Sequence, residues 1–465
     1  MSKYDTVIIG AGMSGLAAGI RLAMFDHKVL ILESHTIAGG LNSYYQRGKR
    51  QFDVGLHALT NFVPKGTRNK PLTKLFKQLR IPYDSFQIKE QSFSEIRFPD
   101  CILKFTNDFE VLRSQVHANF PNHIDEFESL VVIVSEFNEL SLDLKYQSTR
   151  ARLSMLIKND LLIEMLLAPL LIYGSAWEND MDFAQFVVMF KSLYFEGFAR
   201  PLNGVRTIID SLIDKYTGLG GELRFKSPVA KILTRNNAVY AVQLKSGEQV
   251  ECSKILSSAG LPETLNLTDA HVGSVARPGP LSFTETIFHF EQKIPKPDLE
   301  STIIFYNNSN KYSYQDPGSF CDATSAVICC PDNYADHEND CEEGRLRVTN
   351  MANFQLWDDL RQKDMKQYRH QKNNVADIAM DVLKKNIPNL NINVAFKDVF
   401  TPATIKRYTG HFKGAVYGSV DKTRNGLTEI KDLYIIGTDQ GFLGIVGSML
   451  SGISMANLHC IMGDQ

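Results

Sequence analysis

Glycines at 10, 12 and 15 follow directly on the β-branched run Thr6, Val7, Ile8 and Ile9, and an apolar segment follows them. That order predicts a strand, a tight turn and a helix. Gly10 permits the turn, and Gly12 lacks a Cβ, so a pyrophosphate can reach the backbone. Gly15 lets the helix pack closely on the strand. The helix start beside Ser14 offers unpaired N–H groups and a partial positive charge to phosphate. Gly19 removes one more side chain where helix meets sheet. A second strand, Lys28 to Leu32, ends at Glu33. That acid stands about twenty residues past the glycines, where a carboxylate accepts hydrogen bonds from a ribose. The bland alternative is a glycine-rich turn in an unrelated α/β protein. Strand, spacing, helix and acid together favour the dinucleotide cradle.

The far end of the chain carries a second signal of the same kind. Asp432 to Ile436 reads as a buried strand leading to Gly437 and Asp439, and glycines 441, 444 and 447 open an apolar helix. A helix start there suits a partial negative charge. Its bland reading is a C-terminal core helix packed through small residues. Closer to the first cradle come Gly39 and Gly40, then Arg47 and Gly48, then Phe52-Asp53-Val54-Gly55-Leu56-His57.

This succession resembles the FAD-containing amine oxidase and phytoene desaturase superfamily, nearly end to end. The Phe52 to His57 motif is similar to its retinol saturase and carotenoid isomerase branch, and Thr401-Pro402, the Gly414 to Gly418 segment and the Gly437 to Ser451 stretch resemble the phytoene-desaturase-related pattern. The resemblance implies FAD as cofactor. It implies that Gly10, Gly12, Ser14, Gly15, Glu33, Gly39, Gly40 and Arg47 hold the dinucleotide, and that Val229 offers backbone to the adenine. It places Gly55, Leu56 and His57 beside the flavin and Gly437 at the second turn. Asp439 would hold the ribityl chain, with Gly444, Ile445 and Val446 under the isoalloxazine ring. Asn203-Gly204 stands where the family usually has Gly-Gly, which leaves that turn open.

The elements needed to position these residues fit the length. The chain has 465 residues, 44% apolar and 22% charged. At about 150 residues per domain, that is roughly three folded units. The expected fold is α/β: a Rossmann-like FAD-binding domain built from 1–75, 201–280 and 401–465. A mixed α+β substrate domain is inserted, with a helical part at 76–200 and a sheet part at 281–400. A net charge of -2 argues against broad nucleic-acid binding. The Met1 end lacks a signal-peptide pattern. Leu161 to Trp177 is broken by Glu164 and Pro169 and falls short of the ~20 residues of a membrane span. Seven cysteines without an export signal suggest free thiols in a reducing compartment, so the expected location is cytoplasmic. Cys321, Cys329, Cys330 and Cys341 cluster near His337, but without paired Cys-x-x-Cys spacing, and no metal is expected.

The substrate is the harder part. Leu161, Leu162, Met165, Leu166, Leu170 and Leu171, then Phe183 to Phe190, supply apolar surface. They suit either a tunnel for an apolar small molecule or ordinary helical core. Lys65 to Arg80 holds six cations without an acid, and Leu72, Leu75, Phe76 and Leu79 share one helical face. A peripheral membrane contact is weighed here against a surface helix, and the surface helix is favoured. No Gly-x-Ser-x-Gly, Walker or His-Glu-x-x-His motif is present. His57 is the first candidate for proton transfer, weighed against a histidine bonded to backbone; Glu196 and His411 follow. The expected activity is flavin redox or isomerisation at carbon–carbon double bonds of a carotenoid, retinoid or other apolar substrate. The alternatives are a flavin amine oxidase and a lipid-binding protein with structural FAD. Reaction direction, electron partner and oligomeric state stay open.

Overall fold

The Tyr4–Ile9 strand pairs in parallel with Val29–Leu32 on one side and Gln249–Ser257 on the other. It is the middle of a seven-stranded sheet in the computed structural model, which describes residues 3–139, 141, 144–268, 276–296, 298–334 and 343–462. Glu222–Arg224 extends one edge in parallel, and Val229–Arg235 and Ala238–Leu244 add an antiparallel hairpin at the other. Leu433–Ile435 joins Gln249–Ser257 in parallel. Two distant strands, Tyr4–Ile9 and Leu433–Ile435, therefore end at the same edge of one sheet. Ligand crevices form outside the carboxyl ends of such strands.

Two helices run away from that edge, Met13–Ala23 and Gly444–Ala456, and they pack on each other. Small residues permit the approach. A Cβ on Gly452 would strike the Ser14 carbonyl, and one on Gly437 would lie 2.8 Å from Ser14 Oγ. The run Gly444–Ile461 is long and apolar enough to cross a bilayer by composition, yet 56% of it is buried within this fold, and it packs on the first helix. It is a core helix of this fold.

The second sheet has the order Val394–Phe400, Ser282–Phe290, Gly344–Ala352, Ser325–Cys329, Ile303–Asn307, Ser94–Phe98, Cys101–Phe105. All pairs are antiparallel except Ile303–Asn307 with Ser94–Phe98. Its side chains alternate between two cores. Ile304, Ile328, Leu346 and Val348 pack under the helices Phe354–Lys363 and Met365–Asn386. Ile303, Phe305, Val327 and Met351 face the helical insert, led by Asp160–Gly174 and Phe183–Phe190. A period of two is what the pleat requires.

One feature departs from the sequence expectation. The segment 76–200 is not wholly helical, because Ser94–Phe98 and Cys101–Phe105 complete the second sheet. Ile96, Phe98, Leu103 and Phe105 are buried while Arg97 and Lys104 are less so, which is a half-buried strand pattern.

Candidate active site

A cavity of about 660 Å³ opens along the carboxyl edge of the first sheet and runs under the second. Glu33, His35, Gly40, Gly55, His57, Gly444 and Ile445 are among the residues that wall it. Of the residues expected to hold the cofactor, Glu33, Gly40, Arg47, Gly55, His57, Gly444 and Ile445 wall this space.

The turns beneath explain why glycine is needed there. Gly10 has φ +95°, and a Cβ on Gly15 would run into the Gly10 carbonyl oxygen. Gly12 differs: a Cβ there would meet nothing within 4 Å. It caps the first helix with no side chain taking the free N–H groups. That open, donor-rich space at a helix start is a fit for phosphate. Gly39 bonds back to Ala11 O at 2.9 Å, and a Cβ on Gly40 would sit 3.6 Å from Gly12 Cα. The Gly39–Gly40 loop thus closes over the first turn. Glu33 is buried and already accepts from the amides of Ala11 and His35, both at 2.8 Å. The remaining lone pairs could receive a ribose hydroxyl.

Ten expected residues lie off the cavity wall: Gly10, Gly12, Ser14, Gly15, Gly39 and Gly437, and also Asp439, Leu56, Val446 and Val229. Asp439 is 1% exposed, and its carboxylate takes hydrogen bonds from Leu261 N at 2.6 Å, Ser419 N at 2.8 Å and Lys422 Nζ at 3.2 Å. Those partners turn it toward its own chain. Leu56 is fully buried, and its carbonyl accepts from Arg200 at 2.6 Å and Arg347 at 2.8 Å. Val446 is core. Val229 begins the Val229–Arg235 strand, opposite Leu244.

Beneath His57 lies a buried ionic network that sequence reasoning missed. Glu285 sits opposite Thr349 and diagonal to Arg347 in the antiparallel register. Diagonal neighbours are within reach of long side chains, and Arg347 Nε donates to Glu285 Oε1 at 2.5 Å. His57 Nε2 is 3.3 Å from the same oxygen and 3.0 Å from Thr349 Oγ1. Arg200 is paired with Asp53, which also accepts from Val205 N at 3.0 Å. Tyr334 Oη donates to His57 O at 2.9 Å.

Burial opposes ionisation of Glu285, but the Arg347 guanidinium and His57 overcome it and hold the carboxyl at about 2. Burial pushes His57 below its ordinary value, and Glu285 offsets only part of that. The stable arrangement is an anionic Glu285, a cationic Arg347 and a neutral imidazole. The carboxylate then accepts from Nε2–H, which leaves Nδ1 as the basic nitrogen. The signal available in the sequence was an acid and a base flanked by apolar residues, Glu285 between Phe283 and Ile287 and Arg347 between Leu346 and Val348.

The other candidates sit elsewhere. Glu196 is buried, accepts from Asn61 at 2.9 Å and pairs with Lys70 at 3.4 Å; burial raises its carboxyl. His411 Nδ1 lies 3.7 Å from Glu263. Neither walls the cavity. Leu72, Leu75, Phe76 and Leu79 of the basic helix Pro71–Leu79 are buried in the core. Cys321 and Cys329 are buried, and burial pushes their thiols up to about 12 and about 11. Cys341 and His337 fall outside the described residues.

Part of the cavity wall is apolar: Ile172, Tyr173, Met189, Phe283, Val327 and Tyr417 contribute to it. Tyr417 Oη is tied to Ile172 O, and the Tyr173 hydroxyl is buried without a partner among the described residues.

Known proteins agree with this architecture. A solved oxidoreductase from Methanosarcina mazei superposes with a TM-score of 0.67 at 15% identity, covering 97% of this chain and 99% of that one. A putrescine oxidase structure gives 0.63 at 14%, covering 100% and 99%. At such identities these likenesses establish the fold. In sequence, the chloroplastic prolycopene isomerase of Arabidopsis thaliana is 24% identical, covering 100% of this chain and 83% of that protein. The all-trans-retinol 13,14-reductase of Danio rerio is 21% identical, covering 98% and 85%. The family described as flavin containing amine oxidoreductase matches residues 13–347. The chain belongs to that family, and its cofactor is FAD.

Proposed function

We propose that this protein is an FAD-dependent oxidoreductase or isomerase that acts on carbon–carbon double bonds of a long apolar substrate, of carotenoid, retinoid or similar polyene type. One observation supports the reading: a single cavity is walled both by expected cofactor residues, Glu33, Gly40, Gly55 and Gly444, and by the apolar side chains of Ile172, Tyr173, Met189 and Phe283. The relatives named above are similar over nearly the whole chain, and their names describe work on carotenoid and retinoid double bonds.

Bound FAD supplies a hydride acceptor or donor. The chain supplies the rest. Gly10, Gly12, Gly15, Gly39 and Gly40 would take the phosphates, Glu33 the ribose, and Gly444 and Ile445 the ring. Asp439 would act at one remove, by fixing the backbone at Leu261 and Ser419. The apolar wall excludes water. Glu285 fixes the tautomer of His57, and His57, on the cavity wall, would hold or release a proton at Nδ1.

An amine substrate is less well served. The carboxylates of the cavity wall are Glu33, Glu285 and Asp398. Glu33 is bonded to backbone amides, Glu285 to Arg347, and Asp398 to Tyr45 and Lys372. A cationic amine would find no unpaired acid among the described residues.

The test is direct. Photoreduced holoprotein, mixed without oxygen with a panel of carotenoids and retinoids, should shift their absorption bands. A flavin that reduces normally while every polyene stays unchanged would defeat the proposal. Peroxide release with amines would replace it. A flavin that no donor reduces, in a protein that binds lipid, would mark a structural cofactor.

A further inference from the structure

Thr60 walls the cavity beside the start of the Gly444–Ala456 helix. A Cβ built on Gly444 would stand 3.4 Å from Thr60 Oγ1. The hydroxyl therefore adjoins the backbone assigned to the flavin ring. Thr60 is buried, and a series of hydrogen bonds leads from it away from the cavity. Thr60 Oγ1 donates to Asn61 Oδ1 at 3.3 Å, and Asn61 Nδ2 donates to Glu196 Oε2 at 2.9 Å. The other Glu196 oxygen is 3.4 Å from the Nζ of Lys70, which is partly exposed.

The backbone is bent to make this series. Asn61 has φ +64°, a left-handed conformation that few residues besides glycine adopt and in which asparagine is enriched. Its N–H donates to Ser192 O at 3.1 Å, and Phe62 N–H donates to Gly197 O at 3.2 Å. Those two carbonyls bracket Glu196 in the π-helical turn Lys191–Glu196 and its cap. Such wide turns are rare and recur at functional sites.

Each link fixes the next. A carboxylate only accepts, so Glu196 takes the amide NH2 and leaves the Asn61 oxygen turned to Thr60. That oxygen also only accepts, so it takes the single Thr60 proton. Thr60 then offers the cavity lone pairs and no proton. Burial raises the Glu196 carboxyl, while Asn61 and Lys70 act against that rise. Reduced flavin carries N–H groups that the oxidised ring lacks, and hydrogen bonds to ring nitrogens tune the cofactor.

We propose that Thr60 is a hydrogen-bond acceptor for the reduced flavin ring, and that Glu196 is the positioning residue that holds it so through Asn61. Thr60 takes this role from the ring position proposed above, whatever the substrate. Glu196, which stands off the cavity, thereby acts on the redox chemistry without touching the reacting atoms.

The experiment is a redox titration of the holoprotein against dyes of known potential, without polyene, beside FAD titration of the apoprotein. Thr60→Val keeps the side-chain shape and removes the hydroxyl. It should still bind oxidised FAD, but the ratio of reduced to oxidised affinity should fall roughly tenfold, about 30 mV in a two-electron potential. Thr60→Ser should restore the wild-type value. Asn61→Gly keeps the left-handed backbone and removes the amide, and should lower the potential by less. Glu196→Leu and Glu196→Gln both remove the charge, but glutamine still offers an oxygen to Asn61. The leucine variant should therefore lie below the glutamine variant, and the gap should vanish when Thr60→Val is added to both. A wild-type potential in Thr60→Val would overturn the acceptor. Equal potentials in Glu196→Leu and Glu196→Gln, with only the melting temperature differing, would make Glu196 structural and overturn its positioning role. Polyenes that stay unchanged while these shifts appear would remove the proposed substrate and leave the roles of Thr60 and Glu196 intact.

Discussion

The cofactor turns and the chamber behind His57 are built by different rules. Gly10, Gly12 and Gly15 act within six residues of one another, and each does its work by what it lacks. The pair Glu285–Arg347 joins residues 62 apart, and their bond to Leu56 and His57 reaches back across more than two hundred. The first region depends on backbone conformation and the second on sheet register. Damage to the turns should therefore show first in the cofactor, and damage to the network first in the fold.

The sharpest break is Gly15→Val. Its Cβ would collide with the Gly10 carbonyl, which cannot move without opening the turn. No soluble holoprotein is expected, and recovery of yellow, folded material would refute the geometry. Next is Arg347→Met, which strands a buried carboxylate and should cost about 3–5 kcal/mol in urea unfolding. The double change Glu285→Leu with Arg347→Met should recover much of that loss, because the uncompensated charge is gone. If the double variant is as unstable as the single, the Leu56 carbonyl, not the ion pair, is the important partner.

Gly12→Val separates the two regions most cleanly. Its φ of -72° suits any residue, and a Cβ meets no protein atom. The apoprotein should stay within about 0.5 kcal/mol of wild type. FAD should bind on the order of 100-fold more weakly, because the side chain would occupy the phosphate space. An unchanged FAD affinity by fluorescence titration would remove the pyrophosphate from this turn.

The smallest effect is on pH. Glu285 sits at about 2 in the fold and near 4.5 when unfolded, so its contribution is whole above about 4.5 and drains away as pH falls toward 2. His57 acts in the same direction. Its pKa is depressed in the fold, so the unfolded chain takes up the proton first, and stability should begin to decline below about 6.5. His57→Asn should remove the upper part of that decline in melting curves and leave the lower part.

The contrast also explains what could be read from the chain alone. The parallel strands, the first helix and the Gly444–Ala456 helix follow from local patterns of apolar and small residues. The acid Asp439 was legible as an acid at a strand end, but not its orientation, because Leu261 and Ser419 reach it from other segments. Ser94–Phe98 was overlooked because its partner Ile303–Asn307 lies two hundred residues away. Glu285 and Arg347 are not legible as a pair in the sequence, because a charge in a strand carries no label of its partner.

Arg200 and Arg347 come from separate strands and both end on the Leu56 carbonyl. That shared acceptor ties the loop before His57 to the helical insert and to the second sheet at once. The segments cannot be exchanged piecemeal between relatives: a chimaera that imports a new substrate sheet without its arginine would leave the carbonyl half-tethered and the histidine adrift. Recombination that respects this fold has to cut outside all three segments, or carry them across as one.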